Sequence, residues 1–161
     1  MEQALSASDL GRPLKEVVDF FELMRVQKDA GLVINFSDLL DFLISMLYSR
    51  EENTLHKRWY EAGVWYGTYL QVKIRDEKPL EALKRILSEG WWELNEVDLS
   101  VELDIFTLRC ISFSLSLERT KLFMSFLEGV ISSLGYEVVK KDCIRGIIIL
   151  SFVEGGSRDL S

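Results

Sequence analysis

The chain has 161 residues and a formal net charge of −7, with 48% hydrophobic and 28% charged residues. This length and composition are those of a folded domain whose core requires no metal or disulfide. The acidic balance argues against nonspecific binding to nucleic acid or anionic lipid, because neutralising phosphates requires a basic face.

The cysteines and the N-terminus favour a reducing compartment. Cys110 and Cys143 lie far apart in the sequence, and "MEQALSASDLGRPLKE" lacks the charged-then-apolar pattern of a signal peptide. No apolar run reaches the roughly 18 residues of a membrane-spanning helix. We therefore expect a cytoplasmic protein with reduced thiols and no membrane span.

The first half of the chain predicts helices. Residues 1–12 predict a loose arm, and a helix with Pro13 in its first turn then runs to near Gly31. Its apolar stripe is wide enough to face both a core and a partner chain. "NFSDLLDFLISMLYSR" predicts a buried helix that is capped by Asn35 or Ser37.

The polar stretch "EENT" predicts a break, followed by another helix over about 55–74. "EKPLEALKRILSEG" then predicts a short helix with Pro79 near its start and Gly90 at its end.

Beyond Trp91 the pattern changes to strands. Val101 to Ile105 and Phe106 to Cys110 alternate in opposite phases, which indicates a bulge or a turn between them that no Gly or Pro marks. "LERTKLFMSFLEGVISSLGY" predicts a helix that ends at Gly135, and "YEVVKKDCIRGIIILSFVE" predicts a hairpin turning through Asp142 to Gly146.

This order predicts an α+β fold: N-terminal helices on a twisted antiparallel sheet of about four strands, with one helix inserted between the strand pairs. We divide the chain into three parts. Residues 1–31 are an N-terminal arm and helix, which form a possible dimer contact. An α+β domain over 32–154 and a frayed tail over 155–161 complete the division.

Catalytic patterns are scarce. The lone His56 favours a surface or capping role, and the pairs Glu51/Glu52 and Glu93/Glu96 favour solvation over acid–base chemistry. No phosphate-binding glycine loop and no zinc-protease or nucleophile-elbow motif occurs. We therefore predict no enzyme, no cofactor and no metal site.

The stretch "RWYEAGVWYGTYL" is the strongest candidate site. Gly63 and Gly67 lie one turn apart on the face that also carries Trp59 and Tyr66, and a second face carries Trp65 with Tyr69. Either this helix is packed on both sides, or its aromatic side chains line an apolar pocket. In the second case the ligand-binding residues are Trp59, Gly63, Trp65, Tyr66, Gly67 and Tyr69.

The order of several motifs resembles a known family. "YEAGVWYG" is followed by "SEGWWELNEVDL", then by "FLEGVISSLGYEVV" and "DCIRGIIILSF". This series is similar to the vinyl-reductase-type (4-vinyl reductase) small-molecule-binding domain, a fold related to the TRAPP vesicle-tethering subunits and to haem nitric-oxide-binding domains. The resemblance implies helices on an antiparallel sheet, commonly a dimer through the helical face, and non-enzymatic work.

The chain also departs from that family. Cys143 and Gly146 match its closing hairpin, but the later cysteine position is aliphatic and no cysteine precedes the penultimate helix. The "YSR" at Tyr48 to Arg50 does not have the spacing of the motif of the haem-binding relatives. The resemblance therefore brings neither a cysteine-based metal or redox role nor haem to this chain.

Two functions of different classes remain. The first is a non-enzymatic domain that binds or senses an apolar small molecule as a homodimer. The alternative is a structural or assembly module, as in tethering subunits, that holds no ligand. A third interpretation, an enzyme or enzyme accessory in tetrapyrrole or aromatic metabolism, rests on the family name alone.

Overall fold

The computed structural model describes residues 13–32, 36–74, 77–91 and 93–156. The chain forms two compact units, Met1–Val33 and Ile34–Ser161. The first contains helix α1 (Leu14–Asp29), which begins after Pro13. It is followed by Gly31 with a φ of +80°, a conformation in which glycine commonly terminates helices. The predicted bounds of this helix are confirmed.

In the second unit, helix α2 (Ser37–Lys73) consists of two helical segments that meet at a kink, so the two helices that we predicted around "EENT" are confirmed but follow each other without a loop. Only Glu51 leaves the helical region, with φ −126° and ψ 25°, so the predicted break is a kink of one residue. The stretch contains no Gly or Pro, so the second helical segment begins directly after this residue.

The predicted capping role of Ser37 is wrong. Phe36 occupies the cap position of α2 without a side-chain hydrogen bond. The Ser37 hydroxyl instead donates to Glu93 and accepts from Arg119, because these charged groups lie beside the start of the helix. Asn35, the other capping candidate, lies outside the described residues.

Helix α3 (Pro79–Arg85) carries Pro79 at its first position and continues as a π-helical turn (Ile86–Gly90). Strands β1 (Glu96–Glu102) and β2 (Ile105–Ile111) follow as a hairpin. The turn consists of Leu103 and Asp104, with φ values of 49° and 66°. Two consecutive positive φ values are typical of tight hairpin turns, and they explain the change of phase in the sequence.

Helix α4 (Leu117–Ser133) lies between the strand pairs, as predicted, and is capped by the Ser116 hydroxyl. Strands β3 (Tyr136–Ile144) and β4 (Ile147–Glu154) complete the sheet. The predicted turn from Asp142 to Gly146 is too long, because Cys143 still pairs with Ile148 and only Arg145 and Gly146 connect the strands. The predicted tail begins with a turn at residues 155–156, and its remainder lies outside the described residues.

The sheet is antiparallel, with strand order β1-β2-β4-β3. Its covered face carries fully buried side chains of the two central strands, among them Leu108, Cys110, Ile148, Leu150 and Phe152. Helix α4 packs on β3 and β4, and α2 packs on α4. The predicted α+β class and four-stranded sheet are confirmed. The inserted helix α4 is thus the one that joins the sheet to the long helix.

Candidate functional site

The contact between α2 and α4 depends on three glycines. A Cβ atom added to Gly63 would overlap the Phe126 carbonyl oxygen, and one added to Gly129 would overlap the Tyr60 carbonyl oxygen. At Gly67 the first obstacle is the Ser133 hydroxyl. The bare face of the aromatic helix is therefore filled by the backbone of α4, which approaches closely because no side chain intervenes.

Next to these glycines lies a cluster of aromatic rings, which we call the aromatic cluster: Tyr66, Trp91, Phe123 and Phe126. The Trp91 ring lies 5.1 Å from Phe123, 5.3 Å from Phe126 and 6.3 Å from Tyr66, measured between centroids. Tyr66, Phe123 and Phe126 are buried, whereas Trp91 is partly exposed. The sequence prediction included Tyr66 but missed the other three rings, which come from a different helix and from the end of the π-helical turn.

The other predicted aromatic residues point elsewhere. Trp65 is 55% exposed and stacks on Tyr69 at 5.5 Å, and the Lys73 ammonium lies 5.8 Å from the Tyr69 ring centre. Trp59 is half-buried. The other five predicted ligand-binding residues thus fall into a helix contact (Gly63, Gly67), a buried ring (Tyr66) and an outer surface (Trp65, Tyr69). Their role in binding a ligand stays a prediction.

A buried arginine, which the sequence analysis missed, joins three segments. The Arg119 side chain is 2% exposed and forms ion pairs with Asp41 on α2 and with Glu93 before β1. It also donates to the Ser37 hydroxyl at 2.7 Å, while Ser116 donates to Asp41 at 2.8 Å. In the sequence, "ERTK" looks like an exposed patch whose charges cancel. Only the packing of α4 reveals that one of these charges is internal.

His56 is also more than a surface residue. Its Nδ1 lies 2.7 Å from the Ser125 hydroxyl on α4, and its Nε2 lies 3.0 Å from the Tyr48 hydroxyl. Tyr48 in turn donates to Glu52 at 2.8 Å, so the network spans the kink at Glu51. Burial lowers the pKa of His56 from 6.5, opposed by Glu52 and assisted by Lys121 and Lys141. The network links the two helices through a group that can change its charge near neutral pH.

The cysteines behave as the composition suggests. Cys110 is buried, which raises the pKa of its thiol to about 12, and Cys143 is half-buried and also free. Over the described ranges, no three His, Cys, Asp or Glu side chains are grouped so as to hold a metal ion. None of the helices in those ranges combines the length and apolar character that crossing a bilayer requires.

The first half of α2 presents an uncharged surface that we call the apolar stripe. Its six side chains are between 47% and 81% exposed: Phe36, Leu39, Phe42, Leu43, Met46 and Leu47. Large contiguous apolar surfaces of this kind usually mark a site of interaction. We predicted a buried helix for this segment, but among its described residues, 36–50, only Ile44 is buried.

No protein-family model matches this sequence, and no curated protein matches it significantly. Two solved structures resemble the fold. One comes from work on modulating haem redox potential through protein-induced porphyrin distortion, with 12% identity and a TM-score of 0.45 over 86% of this chain and 91% of that chain. The other is an oxygen-binding H-NOX domain related to soluble guanylate cyclases, with 13% identity and a TM-score of 0.43 over 86% of each chain.

H-NOX domains belong to the haem nitric-oxide-binding relatives named in the sequence analysis. At identities and TM-scores this low, the two likenesses carry no argument about what this chain binds.

Proposed function

We propose that this chain is a non-enzymatic assembly module that forms a homodimer through the apolar stripe of α2. The observation that supports this proposal is the exposure of six large apolar side chains at the cap and in the first helical segment of α2. Burying this surface against a second copy would remove it from water, which is the main driving force for stable association.

The chemistry of the apolar stripe favours a copy of the same chain as its partner. Phe36, Leu39, Leu43 and Met46 follow one another at spacings of three and four residues, the pattern of a helix-pairing seam. None of the six side chains is charged, so two copies with a net charge of −7 each can meet here without burying like charges. A two-fold contact of identical apolar surfaces is self-complementary.

Sedimentation velocity of the full chain tests this proposal. We expect a dimer at micromolar concentration, and the variant Leu43→Glu/Met46→Glu should weaken dimerisation by about 100-fold or more, because it places charges within an apolar contact. Ser45→Glu is the matched control, since Ser45 is exposed on the same helix but lies outside the stripe. A wild-type monomer, or a dimer that the double variant leaves intact, would overturn the proposal.

A second candidate function is the binding of a small apolar molecule, supported by the partial exposure of Trp91 at the edge of the aromatic cluster. Aromatic side chains with one accessible ring are common in the walls of apolar ligand sites. Helix α2 carries three residues that stay predicted ligand contacts: Trp59, Trp65 and Tyr69. The sensing role and the cytoplasmic location, both predicted from the sequence, stay predictions.

Native mass spectrometry, combined with solvent extraction of the purified protein, tests the second candidate. We expect an added mass that organic solvent releases and that Trp91→Ala reduces, whereas Phe113→Ala, at an 80% exposed ring that is not a predicted ligand contact, is the matched control. If the wild-type mass equals that of the bare chain and no compound is extracted, the assembly module alone remains.

A further inference from the structure

Strand β1 forms one edge of the sheet. Its register with β2 is unbroken from the pair Glu96–Ile111 to the pair Glu102–Ile105, and in the part of the chain that the structure describes β1 pairs with no other strand. The outer side of β1 therefore presents a row of backbone N–H and C=O groups that can pair with an added strand.

The two edges of the sheet differ in how well they resist such pairing. On the opposite edge, the ladder of β3 shifts between Val138 and Lys140, and two consecutive lysines follow this irregularity. Bulges and lysines are the usual devices that prevent a strand from being added. The sequence of β1, "EVDLSVE", has neither a shift in register nor a lysine or proline.

The side chains of β1 divide by charge between the two faces. Glu96, Asp98 and Glu102 are exposed on one face. On the other face Val97 and Leu99 are half-buried. Val101, on that second face as well, is 56% exposed, so the apolar row extends beyond the covered part of the sheet.

These charges disfavour a second copy of β1 as the added strand. Antiparallel pairing of two β1 strands about Leu99 would place Glu96 opposite Glu102, and parallel pairing in register would place each carboxylate beside its counterpart. Like charges on directly opposed residues destabilise a strand pair. On the neighbouring strand, Arg109 is the ladder partner of Asp98 and its guanidinium lies 3.9 Å from the Glu96 carboxylate, so one cation faces three carboxylates.

We propose that the free edge of β1 binds an extended segment of a partner protein in which basic residues alternate with apolar ones. The backbone of the segment would continue the ladder. Its basic side chains would face the three carboxylates, and its apolar side chains would lie beside Val97, Leu99 and Val101. The proposal rests on the backbone and the charges of β1 and uses no residue of the apolar stripe of α2, so it does not depend on the homodimer.

A peptide titration followed by amide chemical shifts in two-dimensional NMR tests this proposal on the full chain. The probe is an end-capped heptapeptide of alternating lysine and valine. We expect saturable shifts at β1 amides, binding at least about tenfold weaker for the glutamate–valine peptide, and no binding for a lysine–valine peptide N-methylated on alternate residues. Equal binding of the lysine and glutamate peptides, or binding that survives N-methylation, would overturn the proposal.

Two variants locate the site. Glu102→Lys should weaken binding of the lysine–valine peptide by about three- to tenfold, since it replaces an attractive cross-strand pair with a repulsive one while its own ladder partner, Ile105, is uncharged. Asp142→Lys, the matched control, makes the same charge change at an exposed position of the opposite edge strand and should leave binding unchanged. If Asp142→Lys weakens binding as much as Glu102→Lys, the effect is that of net charge and the edge of β1 is not the site.

Discussion

The contact between α2 and α4 is built in two different ways along its length. In the C-terminal half of α2, glycines let the backbones of the two helices meet with no side chain between them. Nearer the N-terminus of α2 than these glycines, charged and polar side chains make the connection, through Arg119 with Asp41 and through His56 with Ser125. The first kind of contact depends on the absence of side-chain atoms at the glycines, and the second depends on ion pairs and hydrogen bonds between side chains.

The two parts of the contact are therefore destabilised by different kinds of change. A contact of backbone on backbone does not respond to pH, but it cannot accept even one methyl group, since close-packed interiors transmit such strain. A polar contact tolerates changes of shape better, yet it fails when one partner is lost or changes its protonation.

The largest effect is expected at Gly63. Gly63→Ala should lower the free energy of unfolding by about 3 kcal/mol or more, because the obstacle is the Phe126 backbone, which cannot rotate away. Ala62→Leu, at the neighbouring exposed position, is the control and should change it by less than about 0.5 kcal/mol. Urea denaturation measures both, and equal stability of Gly63→Ala and wild type would refute the tight contact.

The next largest effect is expected at Arg119. Arg119→Met should cost about 2–3 kcal/mol in the free energy of unfolding, because it leaves the half-buried Asp41 and Glu93 without their cation. Arg109→Met removes a 49% exposed arginine that is paired with Glu96, and should cost less than about 0.5 kcal/mol. Similar losses in the two variants would mean that the burial of Arg119 adds nothing to its ion pairs.

Gly67 offers a sharper test of the glycine contact. Its first obstacle is the Ser133 hydroxyl, with the Val130 carbonyl oxygen next at 2.9 Å, so Gly67→Ala should cost about 2 kcal/mol. Adding Ser133→Ala should recover about half of that loss, since a shortened side chain makes room for the methyl group. Strict additivity of the two changes in a double-mutant cycle would contradict this arrangement.

The smallest effect concerns His56 and has a defined sign. Its pKa is lowered in the folded state, so the unfolded chain binds the proton more readily. The stability that His56 contributes is therefore present above pH 6.5 and is lost as the pH falls from there towards the folded pKa. Between about pH 7.5 and about pH 5.5, thermal unfolding of wild type should lose more stability than that of His56→Gln. A parallel pH dependence of the two proteins would exclude His56 as the cause.

Periodicity in the sequence predicted most of the fold. The bounds of α1 and α4, the strand character beyond Trp91 and the change of phase before Phe106 all follow from the spacing of apolar residues, which is a local property. The same reasoning placed Gly63, Tyr66 and Gly67 on one face of a helix. It could not decide between a pocket and a helix contact, because both require a face of small and aromatic residues.

The sequence by itself determined the α+β class, the order of the elements and the apolar character of each face. Only the tertiary structure decided that α4 fills the glycine face, that Arg119 is internal and that His56 bonds to Ser125. These pairs are separated by tens of residues, and a single sequence contains no record of which distant side chains meet. Burial then changes their energetics. In a packed interior the ion pairs and hydrogen bonds of an arginine or histidine are stronger than in water, and leaving such a group unpaired is costly.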